Sequence, residues 1–279
     1  MKRRAASLLL SIACVFAALP VHADEHDAKA SPWERYYANL GIFFATVNST
    51  VRLGTPSAGV SFDVEDTLGI GSGNNAFRID AGWRFTKSRR HRVDFTWFSL
   101  SRDGSTTLGR DLELDGQTFP AGATVSSTLD LDIFKGSYSY SFLQDDRVDL
   151  AVTAGLYVAP ISINVTSSGS FTGSAQQSLT APLPVLGLRA DFVIAPKWYL
   201  RSSFDVFYVS IDDYTGFITD VQVAAEYKAF KYVGFGLGFD TMHLNVEAES
   251  STSVPGVEFN GQFGFDYAGI YAYTKVYFD

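Results

Sequence analysis

The residues best placed to do chemistry are opposite charges that recur at even spacing: Arg78 with Asp80, Arg189 with Asp191, and Arg201 with Asp205. In an extended strand, positions two or four apart share a face. Each pair therefore sits on one face, where the two charges can neutralise each other in a confined space. A different chemistry is open to Asp240 and His243, taken with Asp212-Asp213. Acids and a histidine at one rim form a general acid–base set for a hydrolase, provided that they come within hydrogen-bond reach. Asp63, Glu65 and Asp66 offer oxygens for a calcium ion, but without EF-hand spacing. The runs Gly69–Gly73 and Gly234–Gly238 look like phosphate loops. Neither is expected to open a helix and the second falls inside a strand, so they do not make a dinucleotide site. The glycines of the second run instead make room for large side chains opposite. No catalytic residue, cofactor or metal follows from these patterns.

The elements that must position the charges are strands. In Ala76–Leu100, Phe77, Ile79, Ala81, Trp83 and Phe85 alternate with polar or small residues, and Lys87–His91 turns the chain. Val93, Phe95 and Trp97 then resume the apolar face opposite Arg92 and Asp94. A period of two marks strands with one apolar face. The pattern repeats along the chain and predicts ten strands. Tight connections are expected at 87–91, 143–147, 195–197 and 229–231, and mostly long ones near 54–75, 102–123, 166–178, 212–216 and 248–256. In the strand over 124–142, Leu129, Leu131 and Ile133 hold one parity, and Phe134, Tyr138, Tyr140 and Phe142 the other. That switch predicts a β-bulge. Pro160 is expected to shift the phase of the next strand, at a bulge or a rim position, because it lacks the ladder donor.

Lys2, Arg3 and Arg4 precede an apolar run from Leu8 to Leu19 and a small-residue site, Val21-His22-Ala23. This is the plan of a secretory signal peptide, too short for a spanning helix. Residues 1–23 are therefore read as the signal, 24–34 as a short flexible periplasmic lead-in, and 35–279 as the folded domain. The single cysteine, Cys14, falls in the signal, so disulfides and thiolate chemistry are excluded from the mature chain. Removing residues 1–23 takes away three basic side chains and no acid. The remaining 19 basic and 30 acidic residues give a formal charge of −11, which argues against a nucleic-acid partner.

Even strand number, short turns alternating with long loops, and aromatics near the tight-turn ends describe an antiparallel up-and-down transmembrane β-barrel. The apolar parity should face lipid through Phe77, Ile79, Trp83, Phe95, Trp97, Leu186, Leu188 and Phe192. The lumen should be lined by Arg78, Asp80, Arg84, Asp94, Arg189, Asp191, Arg201, Asp205 and Glu226. With hairpins such as RFTKSRRHRVDFTW, the mature chain resembles the small proteobacterial outer-membrane β-barrels, broadly of the OmpA- and OmpW-like kind. Its end departs from their common assembly signal, because Asp279 follows Phe278 and Tyr273 stands where that signal has Gly. The resemblance implies insertion by the outer-membrane assembly machinery and outer-membrane lipid as the surrounding partner. Omptin-type proteases also combine ten strands with acids and a histidine at the rim, but no omptin motif accompanies His243. The functional expectation is a passive narrow conduit for small solutes, without enzymatic activity. The alternatives are an adhesion or ligand-binding barrel acting through its loops and, more remotely, a rim-sited hydrolase.

Overall fold

A computed structural model describes residues 31–53, 60–114, 117–168, 171–211, 214–248 and 261–279. Residues 1–30, which take in the expected signal peptide and most of the expected lead-in, and Asp212-Asp213 lie outside the described residues.

Ten long strands form the wall: β1 (Tyr36–Leu53), β3 (Gly73–Arg84), β4 (His91–Thr107), β7 (Thr124–Gln144), β8 (Val148–Ser167), β9 (Gly173–Ala195), β10 (Trp198–Ile211), β11 (Tyr214–Tyr227), β12 (Val233–Ala248) and β13 (Gly261–Phe278). Each pairs antiparallel with its sequence neighbours in the wall. β13 pairs with β1 from Tyr36↔Phe278 to Leu53↔Gly261, which closes the barrel. The remaining elements belong to two of the long connections. The first holds β2 (Val60–Asp63) and the one-turn helix α1 (Val64–Leu68); the second holds the hairpin of β5 (Leu112–Leu114) and β6 (Gln117–Phe119). Where two long loops were expected there is thus local structure, and β4 and β9 run on into the stretches expected as loops at 102–123 and 166–178.

The barrel has two storeys. Next to the tight turns the outer face is apolar: Tyr36, Leu40, Ile42 and Phe44 on β1, and Val152, Leu156 and Val158 on β8, lie on that side. The interior at this level is polar. Towards the long connections the relation reverses. Phe43 and Val47 on β1, Phe98 and Leu100 on β4, and Ile161, Ile163 and Val165 on β8 are buried inside, while Thr46, Asn48, Ser99, Ser101, Ser162 and Asn164 take the outside. The first storey is inside-out relative to a soluble barrel, and the second is built like one.

This reversal corrects two expectations. Leu129, Leu131 and Ile133 point inward with Lys135 and Ser137, because β7 changes its surroundings and not its phase. The β7–β8 pairing keeps one register from Val125↔Ser167 to Ser141↔Ala151, and its only shift lies between Ser141 and Leu143, at the tight-turn end. Pro160 causes no bulge. The β8–β9 register is constant from Val148↔Phe192 to Ser167↔Gly173, and the proline faces outward with Val158 and Ser162. Lacking an N–H, it is tolerated where the ladder to β7 is interrupted, between Leu131↔Ile161 and Phe134↔Val158.

Tight packing explains the strand glycines of β12. A Cβ on Gly236 would collide with the ring of Tyr273, and one on Gly238 with the ring of Tyr271. These two tyrosines stack at 5.6 Å between ring centres across the glycine face. Outside, rings gather at the tight-turn rim: Tyr36 stacks on Trp83 at 6.1 Å and Trp198 lies 4.9 Å from Tyr227. If the second storey has an apolar interior, Leu131→Ala should cost about 2–5 kcal/mol of stability to urea, as core truncations do. Ser126→Ala, on the outer face of the same strand, should cost no more than about 0.5 kcal/mol. Equal losses in the two unfolding curves would contradict the reversal.

Candidate functional site: the filled interior

Alternation aims one side chain in two into the barrel, and in the first storey those side chains are charged. Arg84, Arg92 and Arg201, from β3, β4 and β10, converge on Asp191 of β9 at 3.8, 3.4 and 3.1 Å. Arg84 also meets Asp149 at 2.8 Å. Arg92 and Arg189 share Asp94 at 2.8 and 3.0 Å, and the Tyr37 hydroxyl donates to the same carboxylate at 2.7 Å. One level further in, Arg78 bridges Asp80 at 3.1 Å and Asp240 at 2.5 Å, and its guanidinium lies 4.9 Å from the centre of the Tyr271 ring. Lys135 pairs with Asp205 and reaches Asp220 at 3.7 Å. Tyr157 donates to Asp220, and Tyr267 to Asp240 at 3.1 Å.

Removing one partner from such a buried pair strands the other charge and costs about 3–5 kcal/mol. The network therefore holds strands that are far apart around the wall. Between these layers lies a polar cavity of about 90 Å³, bordered by Asn39, Thr96, Ser137, Ser203 and Gln222 as well as by the ions. That is room for several waters.

The mouth at the tight turns is closed by the chain's own lead-in. Trp33 and Glu34 are 1% and 3% exposed, so this end of the expected flexible segment is part of the interior. The Trp33 indole donates to the Asp145 carbonyl at 2.7 Å, and the Arg84 and Arg201 guanidinia lie 5.9 and 5.8 Å from its ring centre. Arg89, in the β3–β4 turn, donates to the Trp33 carbonyl. Glu34 is held by Lys275 at 2.5 Å, Arg201 at 2.9 Å and Lys228 at 3.0 Å. Burial pushes the Glu34 carboxyl up, but Arg201, Lys275 and Lys228 together outweigh it and hold the group well below its ordinary value of 4.5. Two residues thereby tie together turns and strands from around the rim.

Above the ions the lumen is filled by hydrocarbon. Phe43, Phe98 and Tyr267 meet edge to face at 5.3–5.7 Å between ring centres. Leu129, Leu131, Leu183, Ile218, Met242, Leu244 and Phe265 continue the cluster. Val64, Leu68 and Ile70 enter it from the β2–α1 segment, and Leu112, Leu114 and Phe119 from the β5–β6 hairpin. One ion pair crosses this layer. Glu65 accepts from Arg102 at 2.6 Å and from the Ser49 N–H at 2.8 Å, which pins α1 to β1 and β4.

All nine residues expected in the lumen point inward. Of the eight expected on the lipid side, Phe77, Trp83, Phe95, Leu186 and Leu188 are exposed on the outer face, and Ile79, Trp97 and Phe192 are part-covered there by neighbours. Sequence reasoning missed Trp33, Glu34, Lys135, Asp149, Asp220, Lys228 and Lys275 as members of the network, left Arg92 out of the lining and took Asp240 for a rim acid. Lys135 shares the parity of Leu129–Ile133, whose apolar side chains suggest lipid, and Glu34 precedes the first strand, where periodicity carries no signal.

Asp240 and His243 do not come together. Asp240 faces inward onto Arg78, while His243 faces outward, bonded to Asp266 and beside the Phe217 ring at 5.7 Å. The calcium candidates are otherwise engaged, with Asp63 accepting from the Asp66 N–H at 2.9 Å to cap α1 and Glu65 paired as above. Among the described residues no group of three or more potential ligands is placed to hold a metal ion.

The architecture is that of the outer-membrane β-barrels. Over 87% of this chain and 96% of the other, the fold matches the outer membrane protease OmpT of Escherichia coli at 10% identity, with a TM-score of 0.56. The transport unit of the E. coli autotransporter AIDA-I matches over 92% and 93% at 8% identity (TM-score 0.44). Ail, the attachment invasion locus protein of Yersinia pestis, matches over 85% and 97% at 10% identity (TM-score 0.35). At 10% identity the likeness to OmpT is one of fold. No protein-family model matches the sequence, and no curated protein does either.

Because the Glu34 carboxyl is depressed, its contribution to closing the mouth is complete above pH 4.5 and is lost only as the pH falls through the lower folded value. In a chain whose other three tryptophans are replaced by Phe, Trp33 fluorescence should resist acrylamide at pH 7 and pH 5 and become quenchable only well below pH 4.5. Glu34→Gln should make it quenchable at pH 7, and an unchanged Gln variant would contradict the closure.

Proposed function

We propose that this chain is an outer-membrane barrel, closed to solutes, that binds or adheres through the end carrying its long connections. The observation that carries the reading is the apolar filling of the second storey. A conduit, the first expectation from the charged lining, requires a water path where Phe43, Phe98 and Tyr267 now pack. A barrel filled along its axis is a rigid post, and binding residues commonly lie on loops that such a scaffold holds in place.

In this reading the apolar outer belt of the first storey lies in lipid and the tight turns lie on the periplasmic side, as short turns do in such barrels. Residues 1–23 direct export, and the assembly machinery inserts the mature chain. The second storey stands clear of the bilayer, which accounts for strands longer than the ~9–11 residues needed to cross it. No catalysis is assigned to His243, which lies on the opposite face of β12 from Asp240.

Planar-bilayer recording tests this directly. The reading expects no stable conductance steps from the wild type or from Glu34→Gln, since the hydrocarbon layer persists after the mouth is opened. Steps that change when Arg189 or Arg201 is neutralised would restore the conduit. Trimming residues 109–122 should leave insertion intact and reduce the adherence of cells that display the protein. Unchanged adherence would remove the β5–β6 hairpin from the binding surface.

A further inference from the structure

The outer face of the second storey on β4, β7, β8 and β9 has an unusual composition. Every outward position in 99–107, 124–132, 162–166 and 174–180 is Ser, Thr, Asn, Gln or Asp; Lys, Arg, aromatic and aliphatic residues are all missing from it. The registers line these positions up across the four strands. Asp103, Thr128, Asn164 and Gln176 form one row, and Ser101, Asp130, Ser162 and Ser178 form the next. Within the rows the side chains hold one another: Thr128 donates to Asp103 at 2.7 Å and Ser101 to Asp130 at 2.5 Å.

We infer that this face is a docking surface for the saccharide head of a glycolipid whose acyl chains cover the belt immediately beneath. The inference rests on the membrane reading given above, and three features of the face support it. First, a sheet that meets only water usually mixes charges of both signs over about a quarter to a third of its surface, and this face has no cation. Second, phosphate recognition relies on Arg and Lys, so their absence selects hydroxyls and not phosphate as the partner groups. Short side chains already held by cross-strand hydrogen bonds lose little freedom on binding, and they alternate donors with acceptors as sugar hydroxyls do. Third, the rows continue the belt along the same strands. Asp132 is followed on the outer face by Phe134, Ser162 is preceded by Pro160, and Ser99 by Trp97. A molecule lying along those strands is apolar below and hydroxyl-rich above.

The mature chain has no cysteine, so single probes can be placed cleanly. Ser162→Cys on the rows, His243→Cys on the distant wall at β12, where the outer face carries an imidazole beside the Phe217 ring, and Phe134→Cys in the belt would each be refolded as the full mature chain. The vesicles would be phosphatidylcholine alone, the same with a neutral glycolipid bearing an extended oligosaccharide, or the same with that glycolipid's head removed. A fourth set would carry a phosphorylated head in its place. The readout is the rate of labelling by a bulky, membrane-impermeant maleimide. The Ser162→Cys variant should react several-fold more slowly only when the oligosaccharide is present, and the His243→Cys variant should change little. Equal slowing of both variants means general crowding and overturns the inference, as does no slowing of Ser162→Cys. Slowing that appears only with the phosphorylated head overturns it in favour of an anion. Free labelling of the Phe134→Cys variant in every vesicle would sink the membrane reading itself, which keeps the two failures apart.

Discussion

A closed sheet of ten strands leaves no edge unpaired, and the price is that both faces of every strand must be satisfied along its whole length. The interior is too narrow to be filled by bulk water, so each residue that points inward must be matched by others from across the barrel. In the first storey the match is made by charge: Asp191 receives three guanidinia from three different strands. In the second it is made by rings and aliphatic chains gathered around Phe43. The rest of the structure follows from the level at which one solution gives way to the other.

That level also decides what the outside can be. Where the interior holds ions the outer face is apolar, and where the interior is apolar the outer face of β1, β4, β7, β8 and β9 carries hydroxyls, amides and carboxylates. The exchange occurs in step around the barrel: Asp205 gives way to Phe207 on β10, Asp220 to Ile218 on β11, and Asp240 to Met242 on β12. A mouth closed by Trp33 and Glu34 at one end and a core joined by α1 and the β5–β6 hairpin at the other make the barrel a solid body. On the proposed reading its useful surfaces are the outer wall and the loop end.

Strand number, closure order and the inward set from Arg78 to Glu226 were legible in the sequence because a period of two survives any change of environment. What the period cannot carry is the medium on each side. Leu129, Leu131 and Ile133 looked like lipid-facing residues that had slipped phase, since an apolar residue bordering a membrane and one inside a core have the same side chain. The strand register, which depends on long-range pairing, was needed to separate the two cases. Trp33 and Glu34 escaped for another reason. They precede the first strand, and their roles come from Arg84, Arg201, Lys228 and Lys275, distant in the chain, which no local pattern connects to them.

The central claim is that the wall keeps one phase while its surroundings exchange. Spin labels placed singly at each position from 128 to 140 on β7, in lipid vesicles, test it most directly through their accessibility to oxygen and to a water-soluble nickel chelate. The account predicts even positions open to the chelate at 128–132 and to oxygen from 134 onward, with odd positions shielded from both throughout. Odd positions at 129–133 open to lipid-borne oxygen, with the pattern changing parity near 134, would contradict it.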